Sequence, residues 1–240
     1  MTQLDLLVFG AHPDDAELGA AGTIASAVAE GKLVGIIDLT RGELGTRGSA
    51  DDRDKEASKA AKILGVSVRE NLGFADGFFE NNKEHQLAII QKIRKYRPKI
   101  VIANAIHDRH IDHGRGAKLV SDACFLSGLQ KITTLNDQGE NQEAFRPKHV
   151  YHMIQWYDLE PDFVVDISHT IDQKVASILA YSTQFYDPNS KEPETPISSK
   201  NFLDSVKYRA QNMGRITGVA YAEGFTVQRY PLIKSLFDIH

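Results

Sequence analysis

The sequence predicts an α/β fold: a Rossmann-like, mostly parallel sheet with helices on both faces. Three observations predict it. Short apolar runs alternate with amphipathic helical patterns through the first half of the chain, as in successive β-α-β units. Several of those runs are apolar almost throughout, as in strands covered on both faces. The 240 residues, 42% hydrophobic and 25% charged, suit a single domain with a full core. We expect a core over about residues 4–130 and a C-terminal extension over about 145–240 that completes it.

The elements follow in order. "LDLLVFG" (residues 4–10) is a buried strand. Leu18, Ala21, Ala25 and Val28 then share one helical face, and Gly31 ends that helix. "LVGIIDLT" is the second strand, followed by the polar loop "RGELGTRGSADDR". Ala57, Ala60, Ala61 and Leu64 mark a second helix, stopped by Gly65. "VSVRENL" is a short strand, and residues 85–97 form a helix with Ile89, Ile90 and Ile93 inward. "KIVIAN" is the fourth strand; the polar loop "AIHDRHIDHG" leads from it to a helix carrying Ala117, Val120 and Ala123. Residues 134–148 read as loop, "HVYHMIQWY" and "DFVVDIS" as strands, and 169–182 as helix. Trp156 and Tyr151 read as sheet-packing aromatics. "TQFYDPNSKEPETPISSK", with its prolines and charge, reads as an exposed loop before a helix over about 199–214.

Composition excludes several functions. A net charge of −4 with no long basic block argues against a nucleic-acid surface. Cys124 is the single cysteine, so no intramolecular disulfide forms; it falls in an apolar helical stretch and reads as a buried hydrophobe. The N-terminus lacks a secretory pattern, and no apolar run approaches the roughly 18 residues of a membrane span. The expectation is a cytoplasmic protein with no membrane partner.

Two polar clusters carry the chemistry. "HPDD" follows the first strand and "RHIDH" follows the fourth. In an open sheet of order 3-2-1-4-5 these strands are neighbours at the point where the order reverses, where ligands bind. His12, Asp15 and His113 supply two imidazoles and a carboxylate, a set suited to zinc with an open position, or to iron(II) or another divalent metal. Pro13 stiffens the turn between His12 and Asp15. Asp14 stands beside the ligands as a general base, and a dication compensates the repulsion between the adjacent aspartates. Asp112 beside His110 favours a protonated imidazole, suited to stabilising an oxyanion. Read alone, either aspartate is also a helix cap, and His110 and His113 are also plain loop residues; their placement on neighbouring strands favours a site. His85, His107, His149, His152 and His169 read as structural or surface residues.

These residues carry a resemblance. "AHPDDAELG" resembles the first motif of the LmbE-like or PIG-L N-acetylglucosamine deacetylases, and "RHIDHG" their second, with isoleucine at the usual proline position. "DLTRGELGTRG" is similar to the family's loop after strand 2, and "GVAYAEGF" to the end of its bacillithiol-pathway members. The resemblance spans residue 5 to about 225. It implies a zinc-dependent deacetylase with His12, Asp15 and His113 on the metal, Asp14 as base, His110 stabilising the tetrahedral intermediate and Asp112 orienting His110. In the bacillithiol subgroup the substrate is N-acetylglucosaminyl-malate, and homo-oligomers, hexamers among them, are known. Mycothiol-pathway relatives have a tyrosine where this chain has Asp108, so that tyrosine's role does not carry over.

Weaker candidates are Arg53 and Arg109, whose guanidinium groups match a substrate carboxylate, and Glu43 as a substrate or supporting contact. Tyr221 and Glu223 of "YAEGF" stand as shaping residues of the site or of a subunit contact. The rivals are the same chemistry on a chitooligosaccharide or mycothiol-type conjugate, a non-catalytic sugar- or metal-binding module, and a nucleotide-binding oxidoreductase. The last would use Asp38 at the end of strand 2, but "GAHPDD" stands where a phosphate-binding G-x-G-x-x-G belongs.

Overall fold

The computed structural model describes residues 3–239; residues 1, 2 and 240 of the expected domain lie outside it. Seven strands form one sheet in the order β3-β2-β1-β4-β5-β7-β6. Strands β1 (Leu6–Gly10), β2 (Val34–Thr40), β3 (Val68–Phe74), β4 (Ile100–Ala103) and β5 (His149–Met153) run parallel. β7 (Ala222–Val227) is antiparallel to β5, and β6 (Phe163–Asp166) is antiparallel to β7. The expected 3-2-1-4-5 order is the one observed.

Strand β1 shows why the sheet is covered on both sides. Its side chains alternate, since successive residues of a strand point to opposite faces. Leu7 and Phe9 pack with Ile89, Ile93, Leu119 and Val120, which belong to α3 (Lys83–Tyr96) and α4 (Ile111–Leu126). Leu6 and Val8 pack instead with Ala16, Ala20 and Ile24 of α1 (Asp15–Ala29). Helices α2 (Ala50–Leu64) and α5 (Ile171–Leu179) lie beside α1. Helix α2 starts in a capping box between Ser49 and Asp52 and stops at left-handed Gly65.

Helix α6 (Lys200–Thr217) outlasts the expected span and ends at Gly218 in the left-handed conformation. Two further expectations are corrected. The strand expected over 149–157 stops at Met153, because the backbone N–H groups of Trp156 and Tyr157 turn to the Asp108 carboxylate instead of a neighbouring strand. The loop over 183–200 is not wholly exposed. Glu56 accepts from the Thr183 N–H at 2.8 Å, Gln184 donates to the Arg47 carbonyl at 2.7 Å, and Phe185 is buried against Phe202. Among the described residues no helix is long and apolar enough to cross a membrane.

Candidate active site

The site forms where β1 and β4 end side by side. Val8 and Ile102 are register partners, and the Ala11 N–H donates to Asn104 Oδ1 at 2.8 Å just beyond the strands. Residues a hundred positions apart therefore meet, as in the 3.3 Å approach of His12 Nε2 to Asp112 Oδ2.

Asp14 sits at the turn into α1 with φ 121° and ψ −21°, a region costly for a residue with a Cβ, about 1–3 kcal/mol. Its side chain makes no capping bond, so the plain helix-cap reading fails for it. Arg53 Nη2 donates to Asp14 Oδ2 at 2.8 Å and also to the Pro13 carbonyl, and Nη1 reaches the Gly42 carbonyl at 3.4 Å. Gly42 permits this: it has φ +64°, and a Cβ there would lie 2.1 Å from Arg53 Nη1. Burial pushes the Asp14 carboxyl up to about 7; the Arg53 charge opposes the rise and Asp15 adds to it.

Asp15 uses both oxygens. Oδ2 accepts from the His12 N–H at 2.8 Å and Asn104 Nδ2 at 2.9 Å. Oδ1 accepts from Gln155 Nε2 at 2.8 Å and lies 3.0 Å from His113 Nε2. His12 Nδ1 stands 3.5 Å from Oδ2. Each imidazole thus turns one nitrogen to Asp15 and the other to a different carboxylate. For His12 these are Asp76 at 3.0 Å and Asp112 at 3.3 Å; for His113 it is Asp108. Carboxylates that hold the far nitrogen in this way orient the histidine ligands of metals.

The electrostatics fit a cation. Burial acts to lower the His113 pKa, but the Asp15 charge and the bonds to Asp108 and Asp15 raise it to about 9. His12 is likewise raised, against burial, by Asp112, Asp15 and Asp76. Asp15 is held well below the usual carboxylate range, against burial, chiefly by His113. A buried cluster that draws positive charge, with two imidazoles and a carboxylate as donors, suits a divalent ion. His12, His110 and His113 also bring ring nitrogens within 4.8 Å of one another, as do His12, Asp76 and Asp112 their ligating atoms.

His110 caps α4, its Nδ1 accepting the Asp112 N–H at 3.3 Å. The expected pairing with the Asp112 carboxylate is not made. That carboxylate is fully buried and already taken by Arg115 at 2.7 Å, the Gly77 N–H at 2.8 Å and His12. Nor is a cationic His110 favoured: burial lowers its pKa, and His12 and His113 add to the effect. A neutral ring accepting at Nδ1 carries its proton on Nε2.

The substrate-contact expectations are redrawn too. Arg53 is buried and fixes Asp14, yet it also lines the cavity. Glu43 is exposed, holds the Asp76 N–H at 2.9 Å and does not line the cavity. Arg109 is exposed, lines the cavity and lies 4.3 Å from the centre of the Trp156 ring. Trp156 itself is no sheet residue but part of the cavity wall, stacked 5.7 Å from Phe202. Asp38 pairs with Arg69 at 2.8 Å, so it is not a free ribose-binding acid. The cavity holds about 680 Å³, with His12, Asp14 and His110 at its polar end and Ile197, Phe202 and Val206 among its apolar lining. Sequence reasoning missed Asp76, Asn104 and Gln155 and gave Asp108 no role; all four follow the carboxyl ends of β3, β4 and β5, the rule that found His12 and His113.

Residues 7–124 match the sequence model of the PIG-L family, described as GlcNAc-PI de-N-acetylase. The chain also shares 38% identity and a TM-score of 0.86 with the crystal structure of a conserved protein from Thermus thermophilus, covering 98% of this chain and 99% of that one. The chain belongs to the PIG-L family. Among its PIG-L relatives is the diacetylchitobiose deacetylase of Thermococcus kodakarensis, 27% identical over 89% of this chain and 79% of the relative. Another is the "probable N-acetyl-alpha-D-glucosaminyl L-malate deacetylase 2" of Bacillus anthracis, 28% identical over 75% of this chain and 80% of the relative.

Proposed function

We propose that this PIG-L protein removes the N-acetyl group from an N-acetylglucosaminyl conjugate, with N-acetylglucosaminyl-malate as substrate and glucosaminyl-malate and acetate as products. One observation carries the reading: Asp14, a buried carboxylate with a raised pKa, stands on the same cavity wall as the His12–Asp15–His113 donor set. A divalent ion held by those three residues, zinc in this proposal although iron(II) suits the same donors, supplies Lewis acidity and makes water more acidic.

The chain's own groups do the rest. Asp14 takes a proton from the attacking water at Oδ1, the oxygen Arg53 does not hold. His110 donates from Nε2 to the oxyanion that forms at the amide carbonyl. When the carbon–nitrogen bond breaks, protonated Asp14 returns its proton to the departing amine. Arg53 keeps Asp14 aimed, and Asp76, Asp112 and Asp108 fix the rings of His12 and His113.

The Bacillus relative and the exposed Arg109 support the malate conjugate, since a guanidinium suits a carboxylate. A chitooligosaccharide is the second reading, favoured by the longer match to the Thermococcus enzyme. Acetate release from the malate conjugate, compared with diacetylchitobiose and free N-acetylglucosamine, separates them; faster turnover of either sugar overturns the malate assignment. A cytoplasmic homo-oligomer belongs to the same proposal. It is supported by Tyr230, Leu232, Leu236 and Phe237, apolar side chains 81–92% exposed near the C-terminus, and is tested by sedimentation: a monomer at all concentrations contradicts it.

A further inference from the structure

Just after β5, Gln155 touches the metal-ligand set directly, and Trp156 and Tyr157 reach it through Asp108. Gln155 Nε2 donates to Asp15 Oδ1 at 2.8 Å, while its Oε1 accepts from Asn104 Nδ2 at 3.0 Å and the Ala105 N–H at 2.9 Å. The next two N–H groups, of Trp156 and Tyr157, donate to Asp108 Oδ1 at 2.9 and 3.0 Å. The other Asp108 oxygen holds His113 Nδ1. The Asp108 side chain is 1% exposed. A single carboxylate is therefore shared between a ligand histidine and the backbone of residues 156 and 157.

The same segment shapes the substrate side. The Trp156 ring packs with the Arg109 guanidinium, at 4.3 Å, and with Phe202 of α6, at 5.7 Å. The Trp156 carbonyl accepts from Arg209 Nη2 of α6 at 2.8 Å. Trp156, Arg109, Phe202 and Arg209 all line the cavity.

We infer that residues 155–157 form a strap that couples the metal centre to the substrate wall, with Asp108 as the positioning residue between them. The inference rests on the metal reading above. An ion that fixes His113 and Asp15 fixes Asp108 and Gln155, and through them the Trp156 wall. The coupling is reciprocal, so a ligand that orders the wall tightens the ion. It also gives Asp108 a task of its own: as a carboxylate it accepts from His113 Nδ1 and leaves Nε2 free to ligate.

Trp156 is the chain's single tryptophan, so its emission reports this strap alone. Chelator-stripped protein is titrated with zinc, with uptake read by a competing chromophoric chelator and Trp156 emission followed in the same samples. Wild type should change emission in proportion to zinc bound. Asp108→Asn keeps an oxygen for the strap but turns an amide donor toward His113 Nδ1, disfavouring the tautomer that ligates through Nε2; zinc affinity should fall about 10–100-fold. Asp108→Ala also frees the Trp156 and Tyr157 N–H groups and leaves only the Gln155 bond to Asp15, so its emission should respond less than wild type at saturating zinc; a full wild-type response overturns the role of Asp108 in the strap. Cooperative thermal melting establishes that each variant is folded; if neither folds, the wild-type titration decides alone. Zinc uptake by wild type without an emission change overturns the coupling. Wild-type affinity in Asp108→Asn overturns the positioning role. No zinc uptake by wild type overturns the metal reading and the inference with it.

Discussion

Asp14 is caught between burial, which favours its protonated form, and the Arg53 guanidinium, which favours the charged one. A general base works when deprotonated, so kcat/KM should fall on an acid limb lying below about 7, the value to which burial raises this carboxyl when no ion is bound. A bound cation moves that acid limb down; Arg53→Met should move it up, and a pH–rate profile in which the limb stays put would contradict the pairing. Asp14→Asn should bind metal normally yet lose about 10²–10⁴-fold in turnover, checked by metal analysis and acetate release on the same preparation. His12, Asp14, Asp15, His110 and His113 were legible in the sequence because they cluster in two short motifs. Asp76 and Gln155 were not singled out as supports, since each is a lone polar residue whose partner is set by sheet order; Asp108 lies inside the second polar loop, five residues before its partner His113, and its hold on the 156–157 backbone is what the sequence hides. Asp112 misled for a local reason: adjacency to His110 suggested a side-chain pair, whereas helix α4 uses the Asp112 backbone for that contact and buries its carboxylate elsewhere.

Helix α1 carries Asp15 and lies tight on the sheet through glycines. A Cβ at Gly22 would meet Ile167 side-chain atoms at 2.7 Å, and one at Gly19 would meet Met153 Sδ at 2.5 Å. Gly22→Ala should destabilise by about 1–3 kcal/mol in denaturant unfolding, because the branched Ile167 cannot swing clear. The same helix explains Glu223. Its carboxylate accepts from the Gly22 and Thr23 N–H groups and pairs with Lys174 at 2.6 Å, while Lys174 donates to the Leu18 carbonyl at 2.7 Å. Lys174→Met strands one member of that buried pair and should cost about 3–5 kcal/mol, read as a drop in the denaturation midpoint. Local periodicity made most strands and helices legible. It could not place "AEGFTV" between β5 and β6, because that strand's partners are remote in sequence.

Across the whole molecule, the sheet order gathers four buried carboxylates, Asp14, Asp15, Asp76 and Asp112, around buried His12 and half-buried His113. Such a concentration of acid is stabilised by a cation, so metal binding and folding are linked. At an ion concentration about 100 times Kd the linkage contributes about 2.7 kcal/mol, and chelation should lower the melting temperature by roughly 5–10 °C for a chain of this size. An unchanged melting curve would contradict a metal in this cluster. The most direct test of the account is acetate release from N-acetylglucosaminyl-malate by wild type, by chelated protein, by the same protein with zinc restored, and by Asp14→Asn. The first and third should release acetate at full rate, the chelated protein none, and Asp14→Asn about 10²–10⁴-fold more slowly. No release by zinc-loaded wild type, or equal release by chelated protein or Asp14→Asn, would contradict it.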